Sequence, residues 1–214
     1  SLKARAEAED AALEAAQIRR LPQQASADIR EALQPFGYYS PEIDAKLEQE
    51  GEDWRAHYVV TLGPPTRVAE IVAVFEGEGA EFEPLTRRLR WMPLKIDERL
   101  LHADYEATKK RMSDAALANG FLDAHWVQSE LRVEPTTREA RVTLRLDTGP
   151  RYFFGPVSVE QAGIAPDVLA RYIGVPEGEP FDPQALLDLQ FRLSDLGYFQ
   201  SVESEPQRDL TDEQ

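Results

Sequence analysis

The chain has 214 residues, of which 42% are hydrophobic and 29% are charged, a composition typical of globular proteins. Its formal net charge of −15 opposes nucleic-acid binding, which needs a net positive face. The absence of cysteine excludes disulfides, thiol nucleophiles and thiolate zinc sites, and the absence of any run of 18 apolar residues excludes a membrane-spanning helix.

The first 63 residues predict two helices followed by a hairpin. Residues 2–20 are rich in Ala and Glu and lack Gly and Pro, which favours a helix. Pro22 suits the first turn of a second helix that ends near Phe36. Apolar and polar residues then alternate over 39–47 and 54–62, which predicts a hairpin with one buried face that ends at Gly63. The predicted apolar face of the second helix consists of Ala25, Ile29, Ala32 and Leu33.

The middle of the chain predicts a strand, two helices and a second hairpin. Residues 67–75 are rich in β-branched residues and predict the strand, and the helices are expected over 84–92 and 98–119. The hairpin is expected over 124–133 and 140–146, around a turn at 134–137. It ends at Gly149, much as the first hairpin ends at Gly63.

The last part of the chain predicts the same order of elements. We expect a strand over 152–159, a short helix over 166–173, a longer helix over 183–196 and the start of a strand over 198–205. The unit is therefore β-α-α-β-β. It is complete in the middle copy, lacks its opening strand in the first and lacks its closing strand in the third, so we expect a piece of a longer protein. The expected domains are residues 1–65, 66–150 and 151–214.

A short phrase marks the end of one helix in each copy. An apolar residue precedes a glycine by four positions and an aromatic residue follows it, as in Leu33–Gly37–Tyr38, Ala116–Gly120–Phe121 and Leu193–Gly197–Tyr198. Glycine adopts the left-handed conformation without a Cβ penalty, so we expect these glycines to cap the helices. A repeat at nearly fixed spacing predicts tandem copies of one small module.

These units resemble the POTRA domain, the polypeptide-transport-associated domain. POTRA sequences commonly end their second helix with this glycine–aromatic phrase, and they commonly place aromatic residues between two glycines at a junction, as Gly149, Tyr152 and Gly155 do here. Residues 29–41 and 149–157 are most similar to the TamA branch of the family. The resemblance covers nearly the whole chain, although the junction after Pro65 is a looser version of the pattern.

The resemblance implies an α+β fold in which each module is a three-stranded mixed sheet covered by two helices. It implies a non-enzymatic scaffold, without metal or cofactor, in the periplasm of a Gram-negative bacterium. The scaffold would link its own C-terminal outer-membrane β-barrel to an envelope-spanning inner-membrane partner similar to TamB. It would help nascent outer-membrane proteins, such as autotransporters, or lipids to reach the outer membrane.

The fold that the resemblance implies places the strand after the helices at a sheet edge. Edge strands expose N–H and C=O groups that another extended chain can join. The expected edges are 39–47, 122–133 and 199–205. The candidate partner-binding residues on them are Tyr39, Ile43, Leu47, Leu122, Trp126, Leu131, Phe199 and Val202. The alternative is that these edges are solvated, with acidic residues such as Glu42, Asp44 and Glu48 guarding one of them against aggregation.

Other functions remain open from the sequence. Related possibilities are a BamA-type insertase, a two-partner secretion transporter or a division-type POTRA protein. A different class is an enzyme or small-ligand protein built on repeated α+β modules, which would need a concave pocket with convergent polar groups. The basic residues of the middle module, such as Arg87, Arg88 and Arg90, form either a solvated face or a surface for an anionic partner or lipid.

Catalytic patterns are weak. The three histidines, His57, His102 and His125, fall on different predicted elements without ligand spacing. Residues 77–79 have two glycines of a dinucleotide fingerprint, but the neighbouring acidic residues would repel a pyrophosphate, so a turn is expected. Trp54, Trp91 and Trp126 are expected in the core or at contacts between modules.

Overall fold

The computed structural model describes residues 20–51, 53–156, 173, 177–199 and 201–203. The helices are α1 (Leu21–Leu33), α2 (Glu83–Arg88), α3 (His102–Leu117) and α4 (Pro183–Asp195). The strands are β1 (Glu42–Glu50), β2 (Asp53–Thr61), β3 (Arg67–Glu76), β4 (His125–Glu134) and β5 (Glu139–Asp147). The predicted α+β class is confirmed. The helix predicted over 2–20 and nearly all of the one over 166–173 lie outside the described residues.

The chain divides into two compact units. One consists of Ser1–Ala73, Met92–Lys109 and Ser129–Leu144, and the other of Val74–Trp91, Lys110–Gln128 and Arg145–Gln214. Strands β3, β4 and β5 and helix α3 contribute residues to both units.

The middle of the chain forms the complete β-α-α-β-β arrangement. Its sheet has the order β3-β5-β4, so β5 is central and the strand after the helices lies at an edge. The N–H of Arg67 donates to the carbonyl of Arg138, and the N–H of Thr148 donates to the carbonyl of Glu76. These two bonds join the start of β3 to the start of β5 and the end of β3 to the end of β5, so the two strands run parallel.

The central strand supplies the most regular part of the core. Along β5 every second residue is at most 1% exposed: Ala140, Val142, Leu144 and Leu146. The residues between them are exposed or half buried, because successive side chains of a strand face opposite sides of the sheet. The period-two pattern of the sequence therefore identified the buried face correctly.

The first hairpin is a two-stranded antiparallel sheet. Glu42 lies opposite Thr61, and the register continues without interruption to Glu50 opposite Asp53. Along both strands the apolar side is only half buried, as Ile43 and Trp54 show. Helix α1 is also weakly buried: its Ala25, Ile29 and Leu33 are half buried, and Ala32, predicted on the same face, is exposed. The described residues place no third strand in this sheet.

The last part of the chain is organised around α4. Asp182 caps this helix, since its carboxylate accepts the N–H of Gln184 at 2.9 Å. Leu189 and Leu193 are buried on one side of α4, and Phe199 and Val202 pack against them. The strand predicted over 198–205 is absent from its described residues. These residues cover the helix, and no described strand lies beside them.

The strand predicted over 152–159 is present only as an isolated antiparallel bridge between Phe153 and Pro180 within its described part, 152–156. A second expectation fails at Trp91, which is 75% exposed at the end of a short 3₁₀ turn. Met92 and Leu94, the next apolar residues along the chain, are buried instead. The first buried residue of this apolar segment is therefore Met92 and not Trp91.

Candidate functional site

The outer edge of β4 is the clearest candidate for strand addition. β4 pairs with β5 on one side, and no strand in the described part of the chain pairs with its other side. Exposed residues alternate with half-buried ones along β4, but the phase changes between Glu130 and Leu131. Val127 is 49% exposed on this strand. The edge is therefore ten residues long and carries a large exposed apolar side chain.

Two of the three partner-binding residues predicted for this edge lie in β4, and the third lies before it. Trp126 and Leu131 lie in β4 and are half buried, on either side of the phase change. Leu122 lies in the turn that precedes the strand. The exposed side chains of β4 are those of His125, Val127, Ser129, Arg132 and Glu134.

The first hairpin has an apolar face and an acidic face. Ile43 and Leu47 lie opposite Val60 and Ala56, and together with Trp54 they line an open groove of about 720 Å³ between the hairpin and α1. The groove is lined further by Pro22, Gln23, Ser26, Arg30, Ala45 and Gln49. The other side of β1 carries Glu42, Asp44, Glu48 and Glu50, all exposed. Such charges are typical of edge strands that avoid pairing with other chains.

Tyr39 lies before β1 and not in it, so the predicted edge begins three residues too early. Its hydroxyl is 2.5 Å from Nε2 of His102, the first residue of α3. Burial raises the pKa of Tyr39, which extends the pH range over which the hydroxyl keeps its proton and can take part in this hydrogen bond. Tyr39 therefore joins the segment before β1 to the start of α3.

The repeated glycine–aromatic phrase is a Schellman cap in its first two copies. The N–H of Tyr38 donates to the carbonyl of Leu33 and that of Gly37 to Gln34. In the second copy Phe121 donates to Ala116 and Gly120 to Leu117. The glycines have φ of 84° and 89°, as predicted, and Gly197 in the third copy has φ of 68°. In the phrase, the apolar residue is at the C3 position of this cap, the glycine is at C′ and the aromatic residue is at C″.

The carbonyl of the cap glycine then makes the same pair of main-chain bonds twice. The carbonyl of Gly37 accepts the N–H of Thr66 at 2.8 Å, and the carbonyl of Thr66 accepts that of Leu100 at 2.9 Å. The carbonyl of Gly120 accepts the N–H of Tyr152 at 2.8 Å, and the carbonyl of Tyr152 accepts that of Phe181 at 2.9 Å. We call these bonded sets the first junction and the second junction.

A short antiparallel ladder extends each junction. Val68 exchanges main-chain bonds of 2.8 and 3.0 Å with Asp97 and Glu98, and Phe154 exchanges bonds of 2.8 Å with Gly178 and Glu179. Asp97 and Gly178 occupy the same place in the ladder and are both left-handed, with φ of 65° and 82°. The two junctions therefore share their backbone conformation as well as their hydrogen bonds.

An arginine covers the aromatic residue of the cap in both junctions. The guanidinium of Arg99 lies 5.8 Å from the ring centre of Tyr38, and that of Arg151 lies 5.9 Å from the ring centre of Phe121. Both distances fit a cation–π contact. Arg151 lies closer still to the ring of Phe82, at 4.4 Å, and its Nε donates to the carbonyl of Asn119.

Close backbone approach explains why the two junctions need glycine. A Cβ at Gly37 would lie 2.5 Å from the carbonyl oxygen of Leu100, and one at Gly120 would lie 2.7 Å from that of Tyr152. Gly63 and Gly149 are also left-handed, as the ends of the hairpins require. Gly155 has neither a positive φ nor a close neighbour, so the structure gives no conformational reason for glycine there.

Sequence reasoning missed Asp97, Arg99 and Arg151. A signal for part of the junction was present, because residues 97–100 and 178–181 align as Asp/Gly, Glu, any residue and a large apolar residue. The arginines carried no such signal, since they come from different segments relative to the glycine in the two copies.

The described residues contain no group of three His, Asp or Glu side chains placed to hold a metal ion. His57 is exposed on β2, and Nδ1 of His125 lies 3.1 Å from the carbonyl oxygen of Asp123. Residues Gly77–Gly79 form a 3₁₀ turn, in line with the expected turn, and the N–H of Gly79 donates to Oγ1 of Thr148. Among the helices that the structure describes, none has the length and apolar character needed to cross a membrane.

The basic segment of the middle module carries several local ion pairs. Arg87 pairs with Glu83, and Lys110 pairs with Asp114, each within one helix. Exposed pairs of this kind contribute little to stability and are typical of a solvated face.

Two family models match the chain. The model described as "POTRA domain TamA domain 1" matches residues 1–62, and the POTRA model described as "Surface antigen variable number repeat" matches residues 152–214. The matched stretches together make up more than half of the chain. The resemblance to POTRA domains is thereby confirmed.

Solved structures of low sequence identity also match. POTRA domains 3–5 of BamA from Haemophilus influenzae have 19% identity and a TM-score of 0.45, with 79% of this chain and 67% of that chain covered. POTRA domains 1–3 of the periplasmic domain of Omp85 from Anabaena have 13% identity and a TM-score of 0.32, with 85% and 74% covered. The N-terminal domain of Omp85 from Thermosynechococcus elongatus has 18% identity and a TM-score of 0.34, with 86% and 75% covered.

Proposed function

Because the chain belongs to the POTRA-domain family, we propose that it is the periplasmic scaffold of an outer-membrane assembly or translocation factor of the TamA type. The match of residues 1–62 to the model of TamA domain 1 supports this choice over a BamA-type insertase or a two-partner secretion transporter. In this proposal the scaffold belongs to a Gram-negative outer-membrane protein and links its barrel to a TamB-like partner.

The place of β4 at the edge of its sheet, where no described strand pairs with its outer side, is the observation that carries the proposed activity. A strand at the edge of a sheet offers main-chain donors and acceptors that pair with many sequences, as the binding of varied nascent outer-membrane proteins requires. Val127 adds exposed apolar surface to this edge. β1 supports the proposal less strongly, because its outer side carries four exposed acidic residues.

A photo-crosslinking scan along β4, in the full-length protein in its native envelope, tests this proposal. The side chains at 125, 127 and 129 are exposed, and after Glu130 the exposed positions become 132 and 134. An added strand should therefore be crosslinked from these five positions. The half-buried Trp126 and Leu131 serve as matched controls on the same strand. Equal crosslinking at exposed and half-buried positions, or none along β4, would contradict strand addition.

The domain boundaries belong to the same proposal. We place three modules at residues 1–65, 66–150 and 151–214. The repeated junctions support these limits, because Thr66 and Tyr152 are each bonded to the preceding cap glycine just after a boundary. The residue that makes both junction bonds is thus the first residue of the second module, Thr66, and the second residue of the third module, Tyr152.

A binding role rather than catalysis fits the surfaces described. The volume between α1 and the first hairpin is an open groove lined by both polar and apolar side chains, and Arg30 is the one titratable side chain among its lining residues. The melting temperature of the purified chain, measured with and without nucleotides and divalent metal ions, checks this point. A saturable stabilisation by one of these ligands would favour the small-ligand alternative.

A further inference from the structure

The glycine–aromatic phrase occurs three times, and among the described residues two of the three copies are bonded to another segment. In the third copy Gly197 is left-handed, and an added Cβ would meet no atom within 4 Å. Its N–H donates to the carbonyl of Ser194 at 3.2 Å, as the second bond of a Schellman cap does. Within the described residues no N–H donates to the carbonyl of Gly197. The third copy therefore shares the left-handed glycine and one of the two cap bonds with the first two copies, but the N–H of Tyr198 does not donate to the carbonyl of Leu193. No described residue occupies the carbonyl of Gly197.

The aromatic residue of the third copy shows the same difference. Phe121 in the second junction is 2% exposed and Tyr38 in the first is half buried. Tyr198 is 75% exposed, and no cation–π contact is found for it in the part of the chain that the structure describes. The residue after it, Phe199, is held in place by packing against Leu189 and Leu193 of α4. The exposed ring thus sits beside a fixed helix end.

We propose that Gly197 and Tyr198 form a binding socket for an extended, arginine-bearing strand segment from another β-sheet domain. The occupant donates one main-chain N–H to the carbonyl of Gly197 and places a guanidinium over the ring of Tyr198. This chemistry is taken from the occupied junctions, where Thr66 and Tyr152 donate the N–H and Arg99 and Arg151 cover the ring. The socket lies at the end of α4 and is distant in sequence from the edge of β4. Binding at the socket does not require strand addition at β4.

The charge of the surroundings favours the same occupant. The chain near the socket carries two carboxylates, Asp195 and Glu203, and one cation, Arg192 in the last turn of α4, and the chain as a whole has a net charge of −15. A positively charged side chain is therefore attracted to the C-terminal end of α4, whereas an acidic segment would be repelled. An exposed tyrosine ring is itself a favourable place for a guanidinium.

The test uses the 214-residue chain and a peptide that copies its own second junction. The peptide has the sequence of residues 149–156, Gly-Pro-Arg-Tyr-Phe-Phe-Gly-Pro, and is titrated to several times its Kd while the amide signals of Gly197 and Tyr198 are followed by NMR. We expect a saturable shift confined to the end of α4 and residues 197–199. Absence of a saturable shift would overturn the proposal.

Two peptide variants separate the two contacts. Replacing the peptide's Tyr152 by proline removes the donor N–H and should weaken binding about fivefold, the effect of one neutral hydrogen bond. Replacing its Arg151 by alanine should weaken binding about two- to fivefold, the effect of an exposed cation–π contact. If both variants bind as well as the parent peptide, the site is a non-specific apolar surface and the proposal fails.

A variant of the chain provides the matched control. Tyr198→Ala should reduce affinity for the parent peptide about two- to fivefold, and it should leave affinity for the peptide without the arginine unchanged. The circular dichroism spectrum checks that α4 is retained, which is expected because Tyr198 is 75% exposed. Equal loss of affinity for both peptides would contradict the assignment of the arginine to this ring.

Discussion

The cap glycines differ in what surrounds them, although all three are left-handed. At Gly37 a side chain would meet both a positive φ and the backbone oxygen of Leu100, whereas at Gly197 it would meet only the positive φ. The left-handed conformation costs a residue with a Cβ about 1–2 kcal/mol. The additional contact with a backbone atom cannot be relieved by a rotamer change, so the two positions should tolerate substitution unequally.

We therefore expect Gly37→Ala to lower the free energy of unfolding by more than about 2 kcal/mol and Gly197→Ala by about 1 kcal/mol. Gly37→Val should be more destabilising still, because a β-branched residue resists positive φ. Thermal unfolding followed by circular dichroism compares the three variants. Equal effects at the two positions would show that the approach of Leu100 to Gly37 does not persist in solution.

Tyr39 makes stability depend on pH in the alkaline range. Burial raises its pKa above that of tyrosine in an unfolded chain, which is about 10. The folded protein then holds the proton where the unfolded chain releases it, so this contribution is complete below pH ~10 and is lost as pH rises through the folded pKa. Tyr39→Phe should flatten the decline in unfolding free energy above pH ~10, relative to the parent chain. Identical alkaline slopes in denaturant titrations would show that Tyr39 is not buried.

At the scale of single elements, α4 depends on its N-terminal cap. The Asp182 carboxylate accepts the N–H of Gln184 at 2.9 Å, and Pro183 occupies the first turn. Asp182→Ala should destabilise the last module by about 1 kcal/mol, whereas Asp182→Asn keeps an acceptor and should cost less. Hydrogen exchange of the amides around Leu189 provides the measurement. An Ala variant that exchanges like the parent would mean that packing alone holds the start of α4.

Elements with a strong periodic pattern were predicted well from the sequence. The predicted strands at 67–75 and 140–146 match β3 and β5 closely, and the glycine caps ended the helices as expected. Prediction failed where a residue's position depends on distant parts of the chain. Trp91 is exposed whereas Met92 and Leu94 are buried, and residues 201–203 are not a strand, although Val202 is packed against α4.

The candidate site was predicted only in part, for a related reason. The sequence placed β4 at an edge through its likeness to a known fold, and the strand order agrees. It placed Tyr39 and Leu122 in strands, although both lie in turns before them. The alternation of apolar and polar residues in the sequence continues through such turns. Hydrogen bonding between strands begins only where a partner strand lies opposite. Strand addition at β4 itself stays a prediction.

At the scale of the whole molecule, the repeated junctions predict equal protection from solvent exchange. The N–H groups of Thr66 and Leu100 in the first junction correspond to those of Tyr152 and Phe181 in the second. We expect all four amides to exchange far more slowly than Gly51, which lies in an exposed turn. Hydrogen exchange by NMR makes the comparison, and rapid exchange at Tyr152 and Phe181 would show that the second junction opens freely.

Each junction is formed chiefly by main-chain atoms. The bonds between the cap glycine, the residue after the boundary and the loop before the long helix involve no side-chain donor or acceptor, and Thr66 in one copy corresponds to Tyr152 in the other. Most residues at the joint can therefore change without changing the joint, provided that the glycine is kept. A gene encoding such a protein can duplicate, lose or exchange whole modules with a relative, and the recombined chain inherits connections that already fit.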